Sequence, residues 1–319
     1  MRTHDTGRTS IVPRLSLAVL ALCALAVIGM YVRGGRTSIG VILAGGLPAI
    51  LAVALVAAAI GWRHLGGLRL LLVVGIIGSQ VPLLDHVVDD EVPVDEGAPR
   101  VRIATLNSNR AGVTDDDLVS LAQGADVLAL QEWDADRTER LTAALGGDWR
   151  VATEDHDDYI DAEVTVWVRR PWQVGSTAPL TGRQPGHAVH LRRGHHRVTV
   201  VGTRLQNPAF RAADRWGEGL DSLRHVAEGT DGPVVVAGDL NAPPSAVAFR
   251  DLTRSTDLRD CTAQLGRGFP GSWGHEPGSA VAPVPIDHVL TRDAPCTDLE
   301  ITRERGSDHR ALTATVALD

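Results

Sequence analysis

Residues 234–242 read VVVAGDLNA. Three Val and an Ala in a row suit a strand buried on both faces, because a half-exposed strand would alternate apolar with polar. Gly238 breaks the run, and Asp239 and Asn241 follow at once. An apolar strand that ends in a carboxylate and an amide is the unit from which the rest of the chain can be read.

The unit recurs. Asn107 ends the short strand Val101–Leu106, and Glu132 follows DVLALQ at 126–131. Asp287 and His288 sit in PIDHVL (285–290). Asp308 and His309 sit in GSDHRAL (306–312), just before a last strand, Leu312–Ala317. One Asp or Asn after a strand is ordinarily a turn residue or a helix cap. Five such ends in one chain are harder to assign to turns. Strand ends at one sheet edge can pool their side chains. Oxygen donors with few His suit a hard cation, Mg²⁺ or Mn²⁺, whereas zinc would call for more His or Cys at ligand spacing.

Helices separate these strands. Thr114 with Asp117 resembles a capping box for a helix that ends near Gly124. Arg137–Leu145 and a long stretch within Ala209–Glu228 read as helical, and Ser245 can cap a helix toward Leu252. Glu163–Val168, Ala188–Leu191 and Val198–Leu205 read as strands, some adjoining like hairpins. The mixture predicts a mixed α/β or α+β sheet architecture. Other polar groups have local readings. His195 and His196 suit a solvated hairpin turn, and Asp115–Asp117 the first turn of a helix. Asp155, Asp157 and Asp158 lack the Gly and distal Glu of a calcium loop. Glu163 falls near the site, and Trp273 either lines its mouth or packs.

The chain has 319 residues, 44% hydrophobic and 22% charged, with a net charge of -8. The average hides a split. Residues 1–84 hold seven Arg and one acidic residue, Asp5; residues 97–319 hold 24 Arg and 32 acidic residues. Aliphatic content and only three Cys exclude disorder and a small disulfide scaffold. All 31 basic residues are Arg, so no Lys can act as nucleophile, Schiff base or P-loop phosphate ligand. Cys23 falls in an apolar run and suits packing. For Cys261 and Cys296 a bridge and a buried free pair both fit the spacing.

Three apolar stretches, about 15–32, 38–62 and 65–84, predict an N-terminal anchor of three transmembrane helices. Arg2, Arg8, Arg14, Arg63 and Arg69 would then face the cytoplasm, and Arg33 and Arg36 the other side. An acidic linker, 85–99, leads to a domain at 100–319 outside the cytoplasm. The expected location is the plasma membrane, multi-pass.

RIATLN, DVLALQEW, VVVAGDLNA, IDHVL and GSDHRAL, in this order, resemble the endonuclease/exonuclease/phosphatase superfamily. This is the fold of pancreatic deoxyribonuclease, apurinic endonucleases, neutral sphingomyelinases and inositol polyphosphate 5-phosphatases. The resemblance covers nearly all of 100–319. It implies a four-layer sandwich of two mixed β-sheets flanked by helices. It also implies that Glu132 is the main metal ligand, with Asn107 and Asp308 close to the Mg²⁺ or Mn²⁺ or its waters. Asp239 would orient or deprotonate the attacking water, and Asn241 would donate to the phosphate. His309 would face the phosphate with Asp287 as its partner. One position departs: where the family commonly has Thr-His-Leu, this chain reads Thr-Arg-Leu (203–205). Arg204 stays protonated and can clamp a phosphate, but is a poor proton donor. Asn207 matches an Asn of the apurinic endonuclease branch, which also lacks that His.

Three spans before such a domain are similar to membrane-anchored actinobacterial members, some akin to glycopeptide (teicoplanin) resistance-associated proteins. The implied partners are the lipid bilayer and a phosphorylated substrate, with a lipid-linked phosphate of the cell envelope as the candidate. The expected function is a metal-dependent phosphoesterase. An extracytoplasmic nuclease is the alternative, disfavoured by the acidic domain, and a phosphate-binding protein without activity is the third reading.

Overall fold

The computed structural model describes residues 11–64, 66–88, 94–95, 97–110, 112–153, 164–209 and 212–318. The acidic Asp155, Asp157 and Asp158, and Glu163, lie outside the described residues. Four apolar helices come first: α1 (Ile11–Gly29), α2 (Ser38–Gly45), α3 (Leu47–Ile60) and α4 (Gly67–Gly78). There follow β1 (Arg100–Asn107), α5 (Asp115–Ala122), β2 (Val127–Gln131), α6 (Thr138–Leu145), β3 (Trp149–Val151) and β4 (Val164–Arg169). Next come β5 (Gln173–Pro179), β6 (Gly186–Arg193), β7 (His196–Arg204), α7 (Ala213–Gly229), β8 (Val234–Asp239) and α8 (Val247–Thr256). The chain closes with β9 (Arg259–Asp260), α9 (Cys261–Gln264), β10 (Asp287–Arg292), β11 (Cys296–Arg303) and β12 (Arg310–Ala317).

Among the described residues the strands form two six-stranded sheets, ordered β11-β12-β1-β2-β4-β3 and β5-β6-β7-β8-β10-β9. Each holds one parallel pair, β1 with β2 and β7 with β8, among antiparallel neighbours. The parallel pairs account for the apolar runs. In β8, Val235 and Ala237 enter the core between the sheets, while Val234 and Val236 enter the core under the helices. In β2, Val127 and Ala129 face the other sheet, and Leu128 and Leu130 pack with Leu118 and Leu141 of α5 and α6. A strand with period-two side chains and cover on both faces must be apolar throughout. Helices on each outer face complete the four layers. The sheets pack tightly at Gly202, where a Cβ would lie 2.6 Å from Val166 Cγ2 and 3.4 Å from Ala129 Cβ.

Several expectations change at the edges. β3, β5 and β11 are strands that the sequence reading passed over; β5 is a largely exposed edge strand with no clear alternation. Ser245 does not cap α8: the N-cap is Ala246, and Ser245 Oγ donates instead to the Ala44 carbonyl, 2.8 Å being typical and 2.7 Å observed. Cys261 and Cys296 are bridged, tying α9 to β11. Gly194 and His195 form the β6–β7 hairpin turn, as expected for His195, whereas His196 starts β7 opposite Arg193.

The three-helix anchor is corrected. Among the described residues only α1, with 19 residues, is by itself long and apolar enough to cross a membrane. The expected second span is broken into α2 and α3, bent by 64°. Gly46 caps α2, and Pro48, which has no N–H to continue the ladder, lies at the start of α3. The expected third span yields a 12-residue helix ending at Gly78; Pro82 starts a 3₁₀ turn, Val81–His86. Cys23 is buried with Leu20, Ala54, Ala57 and Ile76 where α1, α3 and α4 meet. Their outer faces expose Leu22, Leu25, Ile28, Val53, Val56, Leu71 and Val74.

These helices are not a free tether. Val27, Met30, Val41, Ala44 and Leu47 belong to the same buried cluster as Leu240, Ala242, Ala246 and Phe249. Arg36 grips Asp221 of α7 through two bonds of 2.6 Å. Arg250 Nη2 donates to the Tyr31 hydroxyl at 3.2 Å. His86 stacks on Phe269, and its carbonyl accepts from Gly268 N at 2.6 Å.

Candidate active site

Register brings the strand ends together. In the parallel pair β7–β8, Arg204 lies opposite Asp239; in the antiparallel pair β8–β10, Asp287 lies opposite Asp239 from the other side. Asp239 is therefore flanked by Arg204 and Asp287. In the facing sheet, Asn107 ends β1 opposite Gln131, which puts Glu132 beside it. β12 runs antiparallel to β1, so the residues leading into it, Asp308 and His309, arrive at the same end.

Asn107 joins the two sheets. Its Nδ2 donates to Glu132 Oε1 and to Asp239 Oδ2, both at 3.1 Å. Glu132 holds φ +49, a conformation that costs a non-glycine residue about 1 kcal/mol or more. Asn241, at φ +47, donates its backbone N–H to Asp239 Oδ1 at 2.9 Å. Its side-chain amide donates to the Leu205 carbonyl (2.8 Å) and to Asp239 Oδ2 (3.2 Å). Both amide hydrogens are thus engaged, and Asn241 orients Asp239. Arg204 Nη2 lies 2.7 Å from Glu132 Oε1, and its Nε 3.8 Å from Asp239 Oδ2.

His309 Nδ1 donates to both oxygens of Asp287, at 2.9 and 3.0 Å. The free Nε2 sits 4.0 Å from Asp239 Oδ2. Burial opposes a charge on this ring, but Asp287 and then Asp239 outweigh it and push the imidazole up to about 10. His309 is therefore a cation at neutral pH, with Nε2–H turned toward Asp239. Asp239 is also raised, but for a different reason. Burial, opposed by His309 and helped by Asp287, lifts its carboxyl to about 6. Asp239, Asp287 and His309 offer ligand atoms within 4.8 Å of one another, the group among the described residues that could hold a metal ion.

Asp308 directly precedes His309 and adds to the charge that favours its protonated ring. Asp308 Oδ2 accepts the Trp273 indole N–H at 3.0 Å. Asn207 is exposed, and its Oδ1 accepts from Ala209 N in its own loop. Two serines that sequence reasoning missed brace the site. Ser307 Oγ donates to the Asn107 carbonyl (2.6 Å) and accepts from His309 N (2.9 Å). Ser272 Oγ accepts from Asp287 N at 3.0 Å. Ser307, two residues before His309, carries a weak signal as a turn-forming serine; Ser272 carries none.

His288, next to Asp287, points to the opposite face of β10. Its Nδ1 meets Asp260 Oδ2 at 2.6 Å and its Nε2 the Ala242 carbonyl at 2.7 Å. Both partners are acceptors, so both nitrogens carry protons. The buried imidazolium anchors the residue that follows Asn241.

A two-sheet α/β sandwich with carboxylates, an amide, an arginine and an imidazolium pooled at its strand ends is the class to which fold and site point. The chain belongs to the endonuclease/exonuclease/phosphatase family, whose model matches residues 104–309. No curated protein matches it. Among solved structures it is similar to an endonuclease/exonuclease/phosphatase of Beutenbergia cavernae, at 20% identity and a TM-score of 0.53, over 69% of this chain and 72% of that one. It is similar to D. rerio TDP2 complexed with a single-strand DNA product, at 14% identity and TM-score 0.55, over 68% and 98%. It is also similar to a mannosyl-6-phosphatase of Bacteroides thetaiotaomicron, at 11% identity and TM-score 0.52, over 68% and 100%. At these identities the likeness is one of fold.

Proposed function

We propose that the protein is a membrane-anchored phosphoesterase that hydrolyses a phosphate ester or pyrophosphate at the outer surface of the plasma membrane. The observation that carries this reading is the buried Asp239–Asp287–His309 trio, joined to Glu132 through Asn107.

The donor set fits a hard divalent cation. It is dominated by carboxylate oxygens, and burial raises the proton affinity of Asp239 even with His309 and Arg204 beside it, so added positive charge there is favourable. Glu132 and Asp239, bridged by the Asn107 amide, would hold Mg²⁺ or Mn²⁺. Such an ion supplies Lewis-acid polarisation and neutralises charge gained by the phosphoryl group. The chain's own residues do the rest. Asp239, near neutral in proton affinity, accepts a proton from an attacking water. Asn241 and Asn107 fix its carboxylate from two sides. His309 presents a fixed Nε2–H donor to a phosphoryl oxygen and, as a cation, stabilises the charge that develops there. Asp287 keeps that ring charged and oriented.

Placement outside the cytoplasm has three supports. Arg36, in the turn directly after α1, binds Asp221, so that turn and the domain share one side. Orientation then depends on α1 crossing, whatever α4 does. The 19 residues of α1 span about 28 Å, enough for a hydrocarbon core of about 30 Å. Arg2, Arg8 and Arg14 precede α1 and favour the cytoplasm for its N-terminal end. The Cys261–Cys296 bridge suits an oxidising compartment. The exposed apolar faces of α1, α3 and α4 suit lipid. Docking of the helices beside residues 242–250 keeps the site near the bilayer, which favours a lipid-linked phosphate as substrate.

The test uses the full chain in nanodiscs with Mg²⁺ or Mn²⁺, and again with EDTA. The substrates are a polyprenyl pyrophosphate, a phospholipid, a bis-aryl phosphate and plasmid DNA. Metal-dependent cleavage of the lipid-linked or aryl phosphate is expected. Cleavage of DNA alone would establish the nuclease instead, and turnover undiminished by Asp239→Ala would remove the site.

A further inference from the structure

Glu132, the carboxylate proposed above for the divalent ion, already has a cation. Arg204 Nη2 lies 2.7 Å from Glu132 Oε1, and both side chains are largely buried, 16% and 19% exposed. The same oxygen accepts a hydrogen bond from Asn107, so an amide donor and a guanidinium charge already converge on it. The remaining grip of Arg204 is weak. Its Nε is buried without a hydrogen-bond partner, and it stands 3.8 Å from Asp239, beyond bonding range. A guanidinium cannot shed its proton to make room for a second cation. An ion binding to Glu132 therefore meets a fixed positive charge at a few ångströms, where the repulsion is large in a partly buried site.

Resting on the metal reading above, we propose that Arg204 is a displaceable counterion. It pairs with Glu132 while no divalent ion is present, and it moves to a phosphate oxygen when the ion takes the carboxylate. Two consequences follow from the exchange. Arg204 lowers the affinity of the free enzyme for the ion. A phosphate that draws Arg204 away raises that affinity, and by linkage the ion raises the affinity for phosphate equally. The pairing makes the ion and the phosphate arrive together, and a planar guanidinium is suited to both the carboxylate and the phosphate that it alternates between.

The experiment measures Mn²⁺ binding, without turnover, by electron paramagnetic resonance on the full chain in phosphatidylcholine nanodiscs. Each titration is run with and without inorganic phosphate. Arg204→Gln is expected to bind Mn²⁺ about tenfold more tightly than the wild type in the absence of phosphate. Phosphate is expected to tighten Mn²⁺ binding more in the wild type than in Arg204→Gln. Arg204→Lys retains the charge and is expected to stay near the wild type. It also separates charge from shape, and it serves with Arg204→Met should Arg204→Gln misfold by circular dichroism. Equal Mn²⁺ affinity in the wild type and the neutral variants would overturn the counterion role while leaving the metal reading intact. No Mn²⁺ binding in any of these proteins would overturn both.

Discussion

Both oxygens of Asp287 accept from Nδ1 of His309, at 2.9 and 3.0 Å, although 22 residues separate the two. The pair is nearly removed from water, the side chains being 2% and 6% exposed. A carboxylate and an imidazolium held this way act as one unit. Asp287→Asn and His309→Gln are each expected to lower turnover of a bis-aryl phosphate by about 100-fold or more. The double variant should be scarcely worse than either single one, because each change alone removes the unit. Multiplicative losses in a double-mutant cycle would show that the two residues act independently.

The second buried pair, Asp260 with His288, governs stability rather than turnover. Burial pushes the Asp260 carboxyl up, but the His288 charge holds it below its ordinary value near 3.8. Burial pushes the His288 ring down, but Asp260 holds it above its ordinary value near 6.5. The signs differ accordingly. The Asp260 contribution is present above pH about 3.8 and is lost as pH falls through the lowered folded value. The His288 contribution is complete below about 6.5 and is lost as pH rises through the raised folded value. His288→Leu leaves a buried carboxylate unpaired and is expected to cost about 3–5 kcal/mol. Thermal unfolding of the wild type from pH 5 to 10 should show an alkaline decline that Asp260→Asn/His288→Leu lacks. The same decline in both proteins would rule the pair out as its source.

Cys261 and Cys296 close a loop with a sequence separation of 35, between α9 and β11. A cross-link of that span restricts the unfolded chain by about 3–4 kcal/mol. Reduction, or Cys261→Ala/Cys296→Ala, should lower the midpoint of chemical unfolding by that amount. An unchanged midpoint after verified reduction would contradict the pairing.

Gly202 sits where the two sheets pack tightly together. A Cβ there would lie 2.6 Å from Val166 Cγ2, too near for either sheet to keep its place. Gly202→Val is expected to destabilise the domain by about 1–3 kcal/mol, as overpacked cores do. Gly202→Val combined with Val166→Ala should recover part of that loss in urea unfolding. Additive losses would mean that the strain lies elsewhere.

The clamp between Arg36 and Asp221 is partly exposed, 35% and 48%, so its direct contribution to stability is small, roughly 0.2–1 kcal/mol. Its effect on docking should be visible all the same. Arg36→Asp places like charges in contact and is expected to speed hydrogen exchange in α7. Arg36→Asp with Asp221→Arg should restore slow exchange. No change with the single reversal would show that the apolar contacts alone hold the helices to the domain.

The sequence by itself determined the central strands and the nature of their ends. β2 and β8 are apolar along their length because sheet and helix cover both faces, and that pressure is written residue by residue in DVLALQ and VVVA. Asn107, Glu132, Asp239, Asp287 and His309 were legible because each follows or precedes such a run. The edge strand β5 was not, since an exposed edge imposes no pattern. Only the tertiary structure decided the rest. Strand register, not spacing, set Arg204 and Asp287 on either side of Asp239 and turned His288 away from its neighbour. Packing set the Trp273 indole against Asp308, and the local turn of residues 207–209 kept Asn207 at the surface. Hydrophobicity along the chain counted three spans; a proline with no N–H and a glycine cap broke one of them, and the domain received the apolar faces at the break. Burial and charge depend on what folds against a residue, so the proton affinities of Asp239 and His309 exist only in the assembled site.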